Sequence, residues 1–69
     1  MEQTMILDAY ARNGMCISAA AAELHYDRRT VKRKLLSAGR SLGIDPFDFY
    51  DLAEYLLTER RLHGENANP

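Results

Sequence analysis

The residues with the clearest chemistry are the basic side chains between positions 28 and 40. Six of the nine lysines and arginines of the chain lie in this segment, with no acid among them: Arg28, Arg29, Lys32, Arg33, Lys34 and Arg40. Salt screens charges that lie more than about 8–10 Å apart, so such a group can attract a polyanion locally. The segment therefore indicates a polyanion-binding surface, although the formal net charge of the whole chain is only −1.

Acidic side chains dominate the segment that follows, from 41 to 59, which contains no base. It holds five of the ten acids: Asp45, Asp48, Asp51, Glu54 and Glu59. Their spacing matches no calcium-binding loop, and helix dipoles and solubility are sufficient reasons for them. Positive charge is therefore concentrated in residues 28–40 and negative charge in residues 41–59.

Length and composition favour one small folded domain without an enclosed active site. The chain has 69 residues, of which 46% are apolar and 28% charged. Cys16 is the only cysteine, and no Cys/His cluster has zinc spacing. The longest apolar run is the four alanines 19–22, which is too short for a membrane span or a signal peptide. No phosphate loop or nucleophile motif occurs. We predict a cytoplasmic protein that is not an enzyme and has no cofactor, metal, membrane or small-molecule site.

Hydrophobic spacing predicts an all-α fold of four helices. The first helix is predicted over residues 4–13, with Thr4 as its N-cap and Asn13-Gly14 as its stop. The second helix is predicted to begin at Ser18 as N-cap and to end near Leu24. It is only about two turns long, so its stability must come from packing. Cys16, just before it, is expected to be a small buried or half-buried hydrophobe.

The third helix carries the basic segment and is predicted to begin at Asp27, a good N-cap. Val31, Leu35 and Ala38 then lie on one face at helical spacing, and Gly39 is predicted to end the helix. Because these apolar residues face the core, the basic side chains are expected to share the outward face with Leu36.

A connector over residues 40–44 leads to the fourth helix, which Asp45 and Pro46 are predicted to open. The stripe of this helix that is predicted to be buried consists of Phe49, Leu52, Ala53 and Leu56. Tyr50 and Leu57 are predicted to flank it. His63-Gly64 is the predicted stop. The folded domain is therefore expected to cover residues 1–64, followed by a flexible tail at 65–69.

Residues 17–38 have the pattern of a helix-turn-helix, with His25, Tyr26 and Asp27 as the turn between its two helices. The small Ala20 and Ala21 would let the helices cross closely. His25 stands where many such motifs need a positive φ angle, which His tolerates better than a β-branched residue. An outward basic helix of this kind has the diameter to enter the major groove of DNA.

These residues resemble the C-terminal helix-turn-helix of PucR-type bacterial regulators, the purine-catabolism and sugar-diacid activators. The likeness is carried by Asn13-Gly14, Ser18-Ala19, Ala21, Leu24-His25, Arg28, Thr30-Val31 and Arg33 to Leu35. Residues 42–46 also resemble that family's loop into its last helix, so the likeness covers roughly residues 5–60. A more distant resemblance is to the Fis-type helix-turn-helix. The PucR-type resemblance implies a DNA-binding output domain that ends a longer chain and is dimeric in that context.

The sequence departs from the PucR-type pattern at its DNA-facing edge. Asp27 and Arg29 stand where the pattern commonly has His and Asn, and Ala22 stands where a basic residue is frequent. The resemblance therefore implies DNA binding without specifying the preferred bases.

We predict sequence-specific binding to a promoter or operator in double-stranded DNA, with a recognition helix over residues 28–38. The expected base contacts are Arg28, Arg29, Lys32 and Arg33, because Arg and Lys pair with guanine O6 and N7. The expected phosphate contacts are Ser18, Thr30, Lys34 and Arg40, with the amide end of the second helix.

Two other functions remain open from the residues alone. One is a nucleoid-associated architectural protein that bends DNA with little base preference. The other is a protein-interaction module in which the acidic fourth helix binds a partner.

Overall fold

Four helices account for most of residues 2–60, the part of the chain that the computed structural model describes. They are α1 (Glu2–Arg12), α2 (Ile17–Leu24), α3 (Arg28–Leu42) and α4 (Phe49–Arg60). The described residues contain no strand, and the predicted all-α fold is confirmed. The predicted stop at His63-Gly64 and the predicted tail at 65–69 lie outside the described residues.

Helix α1 is the central element, because it packs against each of the other three helices. Its buried residues Ile6, Leu7 and Tyr10 lie on one face at helical spacing. Helix α2 also packs against α3, whereas α4 packs against α1 alone among the described helices. Burial raises the pKa of Tyr10, whose ring meets Phe47 edge to face at 6.1 Å between ring centres.

The two polar residues predicted to cap the first two helices do not cap them. Helix α1 begins at Glu2, so Thr4 lies inside it, and the Thr4 hydroxyl is 2.9 Å from that of Tyr55 on α4. The N-cap of α2 is Cys16, which has extended backbone angles and makes no side-chain cap hydrogen bond. Cys16 is exposed, so the prediction that it is buried or half-buried is also wrong.

Helix α3 continues past Gly39 for one further turn and ends at Leu42. The predicted stop at Gly39 and the predicted connector over 40–44 are therefore wrong. The residue that ends the helix is Gly43, whose φ of 72° is easily adopted only without a Cβ. The amides of Gly43 and Ile44 both donate to the carbonyl of Gly39, at 2.8 and 3.0 Å.

Gly39 serves packing instead of helix termination. It is buried in α3, and a Cβ built there would lie 2.7 Å from Pro46 Cδ and 2.8 Å from the carbonyl oxygen of Ile44. The chain after α3 therefore folds back directly onto the helix backbone. Only glycine allows this close approach.

Asp45 and Pro46 form a turn that precedes α4 instead of opening the helix. The carboxylate of Asp45 accepts from the amide of Phe47 at 3.0 Å, and its carbonyl accepts from the amide of Asp48 at 3.1 Å. Asp followed by Pro suits this kind of turn as well as it suits a helix start. Helix α4 begins three residues after Pro46, at Phe49.

Helix α4 buries a narrower face than the predicted stripe. Leu52 is fully buried, and Ala53 and Leu56 are half-buried. Phe49 is 60% exposed, so its predicted burial is wrong. The reason is that α4 has only α1 to pack against, and a single neighbour covers only part of the helix circumference.

The contact at Gly39 generates a stability prediction. Gly39→Ala is expected to lower the melting temperature, because the added methyl collides with Pro46 and with the backbone carbonyl of Ile44. Overpacking costs about 1–3 kcal/mol and outweighs the gain of about 1 kcal/mol in helix propensity. The matched control is Ser41→Ala, an exposed position in the same helix, which should melt at or slightly above the wild-type temperature. An unchanged or higher melting temperature for Gly39→Ala would contradict the packing described here.

Candidate nucleic-acid interface

The buried face of α3 determines which of its side chains face outward. Val31, Leu35 and Ala38 are fully buried against α1 and α2, as the sequence predicted. Successive residues of a helix are separated by about 100° around its axis, so the opposite face is also determined. The side chains on the face of α3 opposite Val31, Leu35 and Ala38 therefore point away from the core in a fixed direction.

The outward face of α3 is predominantly basic. Its central line of residues follows the spacing i, i+4, i+7, i+11 and consists of Arg29, Arg33, Leu36 and Arg40, all exposed. Lys32 and Ser37 flank this line and are also exposed, and Arg28 is exposed in the first turn. The line extends about 16 Å along the helix axis. The structure thus brings most of the predicted DNA-contacting residues of α3 onto one surface. We call this surface the basic face; it consists of Arg29, Lys32, Arg33, Leu36, Ser37 and Arg40.

The sequence predicts that Arg40 lies in a connector, but the structure places it in the last turn of α3. It is exposed, at the far end of the basic face from Arg29. This position extends the basic face by a turn beyond its predicted length.

Asp27 fixes the start of α3. Its carboxylate accepts from the amide of Thr30 at 3.0 Å, which confirms the predicted N-cap. Hydrogen bonds from the side chain and amide of Thr30, and then the nearby charge of Arg29, hold the pKa of Asp27 below its ordinary value of 3.8. The carboxylate therefore stays ionised at neutral pH and stabilises the first turn of the helix.

The turn between α2 and α3 sets their relative orientation. His25 ends α2 with φ 61° and ψ 37°, which confirms the predicted positive φ. The amides of His25 and Tyr26 both donate to the carbonyl of Ala21. These two bonds close the helix end and direct the chain into α3.

Lys34 differs from the other basic residues of α3. It is half-buried and lies on the flank of the helix, with its Nζ 5.4 Å from the centre of the Tyr26 ring. A cation at this distance is attracted by the face of the ring. Lys34 therefore braces the turn from α3, and its predicted contact with phosphate stays a prediction.

The two hydroxyl residues among the predicted phosphate contacts lie in the first turns of the helix-turn-helix. Ser18 is exposed in the first turn of α2, and Thr30 is half-buried in the first turn of α3. The first turn of α2 has no side-chain cap, so its backbone amides can donate to an anion, whereas in α3 the amide of Thr30 already donates to Asp27. Their contacts with phosphate stay predictions.

An ion-pair network that joins α1 to α2 was not predicted from the sequence. Arg12 at the end of α1 makes a two-pronged contact with Glu23, at 2.6 and 3.1 Å, and a third bond to Asp8 at 2.7 Å. The side-chain amide of Asn13 donates to Glu23 at 2.9 Å. These bonds, first from Arg12 and then from Asn13, lower the pKa of Glu23. Only the spacing of Asp8 and Arg12, four residues apart, signalled part of this network.

The network ties α2 to α1 and so helps hold the helix-turn-helix in place. Exposed ion pairs contribute little to stability individually, but a bidentate arginine adds geometric restraint. Arg12 offsets one of the two negative charges of Asp8 and Glu23, so the network adds less negative potential around α2 than the two carboxylates would alone.

A second exposed surface lies on α4, away from the helices of the helix-turn-helix. Phe49, Tyr50 and Leu57 are 60%, 78% and 61% exposed. Beside them, an open groove of about 220 Å³ runs between α4 and the end of α1. Its lining residues are Ala11, Gly14, Met15, Phe49, Leu52 and Ala53.

Within residues 2–60, no helix is both long and apolar enough to cross a membrane. No three His, Cys, Asp or Glu side chains of the same residues are grouped so that they could hold a metal ion.

The family model for the PucR C-terminal helix-turn-helix domain matches residues 4–58, which is most of the chain. No curated protein and no solved structure matches.

The N-cap of α3 generates a prediction about pH. A carboxyl whose folded-state pKa is lowered contributes stability above its unfolded pKa and loses that contribution as the pH falls through the folded value. Wild-type stability should therefore fall more steeply below about pH 4 than that of Asp27→Asn, which keeps a capping oxygen without titrating. Thermal melts from pH 7 to pH 2 measure the difference. Parallel pH curves for the two proteins would show that the Asp27 carboxylate is not coupled to folding.

Proposed function

The chain belongs to the family of PucR C-terminal helix-turn-helix domains, the DNA-binding output domains of transcriptional regulators, and we propose that it recognises a specific DNA sequence with α3 in the major groove. The observation that carries this proposal is the basic face of α3. It combines exposed Arg29, Lys32 and Arg33 with a buried opposite face that fixes their direction. A helix of this kind fits the major groove, which is about 12 Å wide.

We propose different roles for residues at different distances along α3. Arg28, Arg29, Lys32 and Arg33 lie in its first two turns, where they reach base edges and read guanine. Arg40 lies about 16 Å from Arg29 along the axis, where it meets the phosphate backbone. Ser18, Thr30 and Lys34, close to the turn, also contact phosphates.

The proposal extends to the context in which the domain acts. The output domain of a regulator reads two half-sites about 34 Å apart when it is paired with a second copy. We propose such pairing through the rest of the regulator, with the domain itself supplying base and phosphate contacts. The setting we propose is bacterial, in the cytoplasm and on the nucleoid, without a small molecule bound to this domain.

The test is the affinity of three variants for a selected DNA site and for scrambled DNA at several salt concentrations. Arg29→Ala and Lys32→Ala should each weaken the selected site by about 1–3 kcal/mol and relax the preference at one or two base pairs. Arg40→Ala should weaken both DNAs by similar factors and reduce the salt slope by about one. For the wild-type protein, log affinity should fall with log salt at about −3 to −5 for each protomer.

Two results would overturn parts of this proposal separately. If Arg29→Ala and Lys32→Ala weaken both DNAs equally, the basic face only positions the domain, and an architectural role replaces sequence recognition. A wild-type affinity that does not change with salt would remove DNA binding through the basic face altogether.

A second candidate function is favoured by the exposed surface of α4. Apolar side chains grouped beside a groove are typical of protein-interaction sites. The exposed acids nearby, Asp48 and Glu54, favour a basic partner. The partner that fits is an amphipathic helix with leucines on one face and lysines on the other. A second copy is disfavoured, because the same acidic rim would face itself.

This second function is tested with a labelled helical peptide of leucine and lysine, against a peptide of the same composition in scrambled order. The amphipathic peptide should bind more tightly, and a Tyr50→Ser, Leu57→Ser double variant should weaken it by about tenfold. The matched control is Met5→Ser, an exposed apolar residue on α1 outside this surface. Equal binding of both peptides, or equal binding by the double variant and the wild type, would rule out this surface. Concentration-dependent dimerisation that only the double variant abolishes would assign it to a second copy.

A further inference from the structure

Leu36 is the one residue of the basic face whose side chain cannot form a hydrogen bond with DNA. It is 41% exposed on α3, whereas its neighbour Leu35 is fully buried. Leu36 follows Arg33 by three residues and precedes Arg40 by four, so it lies between two arginines on the outward line. We propose that Leu36 reads the methyl group of a thymine, and that the recognised DNA therefore carries a thymine beside the base pairs read by the arginines. This inference rests on the proposed function.

The spacing of the residues supports this role. A recognition helix that lies along the major groove reads bases with side chains at positions i, i+3, i+4 and i+7. On α3 this set is Arg29, Lys32, Arg33 and Leu36, and all four are exposed. Three members are cations suited to guanine. Leu36 is the fourth member, and it lies where its side chain faces the same groove.

The chemistry of the major groove leaves Leu36 one favourable neighbour. Guanine, adenine and cytosine present hydrogen-bonding atoms there, and covering these with an aliphatic side chain removes their water without replacing it. Thymine presents a methyl group, which gains from apolar contact. Leu36 therefore favours thymine by attraction and disfavours cytosine, whose amino group would lose its hydrogen bond.

An alternative reading is that Leu36 is an ordinary exposed leucine, since scattered apolar residues are common on protein surfaces. The two readings differ in one measurable respect. A leucine that contacts a thymine methyl is sensitive to removal of that methyl alone, whereas a leucine that remains in solvent is not.

The experiment uses DNA sites selected by the wild-type protein from a random pool. Each thymine of the selected site is replaced in turn by deoxyuridine, which lacks the methyl group and keeps the base pairing. At one thymine position in each half-site, the replacement should weaken wild-type binding by about three- to fivefold, the effect of one buried methyl-sized group. Leu36→Ala should bind the thymine and deoxyuridine versions equally, at about the affinity of wild type for deoxyuridine.

The control is Met5→Ala, which truncates a similarly exposed apolar side chain on α1 and should keep the wild-type response to deoxyuridine. Melting of Leu36→Ala near the wild-type temperature confirms that the variant is folded, as its exposure predicts.

The outcomes separate this inference from the proposed function. If a site is selected but no deoxyuridine substitution weakens binding, Leu36 does not read thymine, while sequence recognition stands. If deoxyuridine weakens the wild type and Leu36→Ala equally, another residue or the shape of the DNA senses the methyl, and the assignment to Leu36 is wrong. If no site is selected at all, the proposed function fails, and this inference fails with it.

Discussion

Burial of one face of α1 is the interaction on which the rest of the structure depends. Ile6, Leu7 and Tyr10 contact the core that α2, α3 and α4 share, and α1 is the only described helix that packs against all of the others. Helix α2 has eight residues and cannot be stable by itself. The helix-turn-helix therefore exists because α1 covers its apolar side. In a chain of this size, with no disulfide, the loss of that shared core would leave few other contacts to hold the fold.

The same burial produces the functional surface. When Val31 and Leu35 pack inward, helical periodicity directs Arg29, Arg33 and Leu36 outward together. No separate interaction is needed to align the cations, and each can remain hydrated until it meets a polyanion. The turn closes the arrangement, because His25 accepts a left-handed backbone and the cap on α3 fixes where the helix begins. Arg12 bonds Asp8 and Glu23 and offsets one of their two negative charges, which reduces the repulsion of an approaching phosphate.

Local patterns in the sequence were sufficient for the helix-turn-helix itself. Apolar spacing in α3 identified the buried Val31, Leu35 and Ala38, since helical periodicity alone decides which residues share a face. Asp27 was recognised as a cap because its hydrogen bond spans only three residues. His25 was recognised because a tight turn between two helices restricts the backbone at one position. Each of these features depends on neighbours in the chain, and the sequence contains those neighbours. The candidate DNA-contacting set on α3 followed from the same periodicity.

Apart from the local errors at the starts of α1 and α2, the errors occurred where distant parts of the chain meet. Gly39 has the appearance of a helix stop, and only the return of Pro46 onto α3 shows that its missing side chain makes room for another segment. Phe49 fits the periodicity of a buried stripe, but α4 has a single neighbour, and that neighbour does not cover it. The bond between Arg12 and Glu23 joins residues on two helices whose crossing no local pattern specifies. The sequence by itself therefore determined the helices, the turn and the direction of the basic face, because these arise from interactions within a few residues. Tertiary structure alone decided the length of α3, the start of α4 and the exposure of its apolar side chains, because each depends on which remote segment occupies the space beside it.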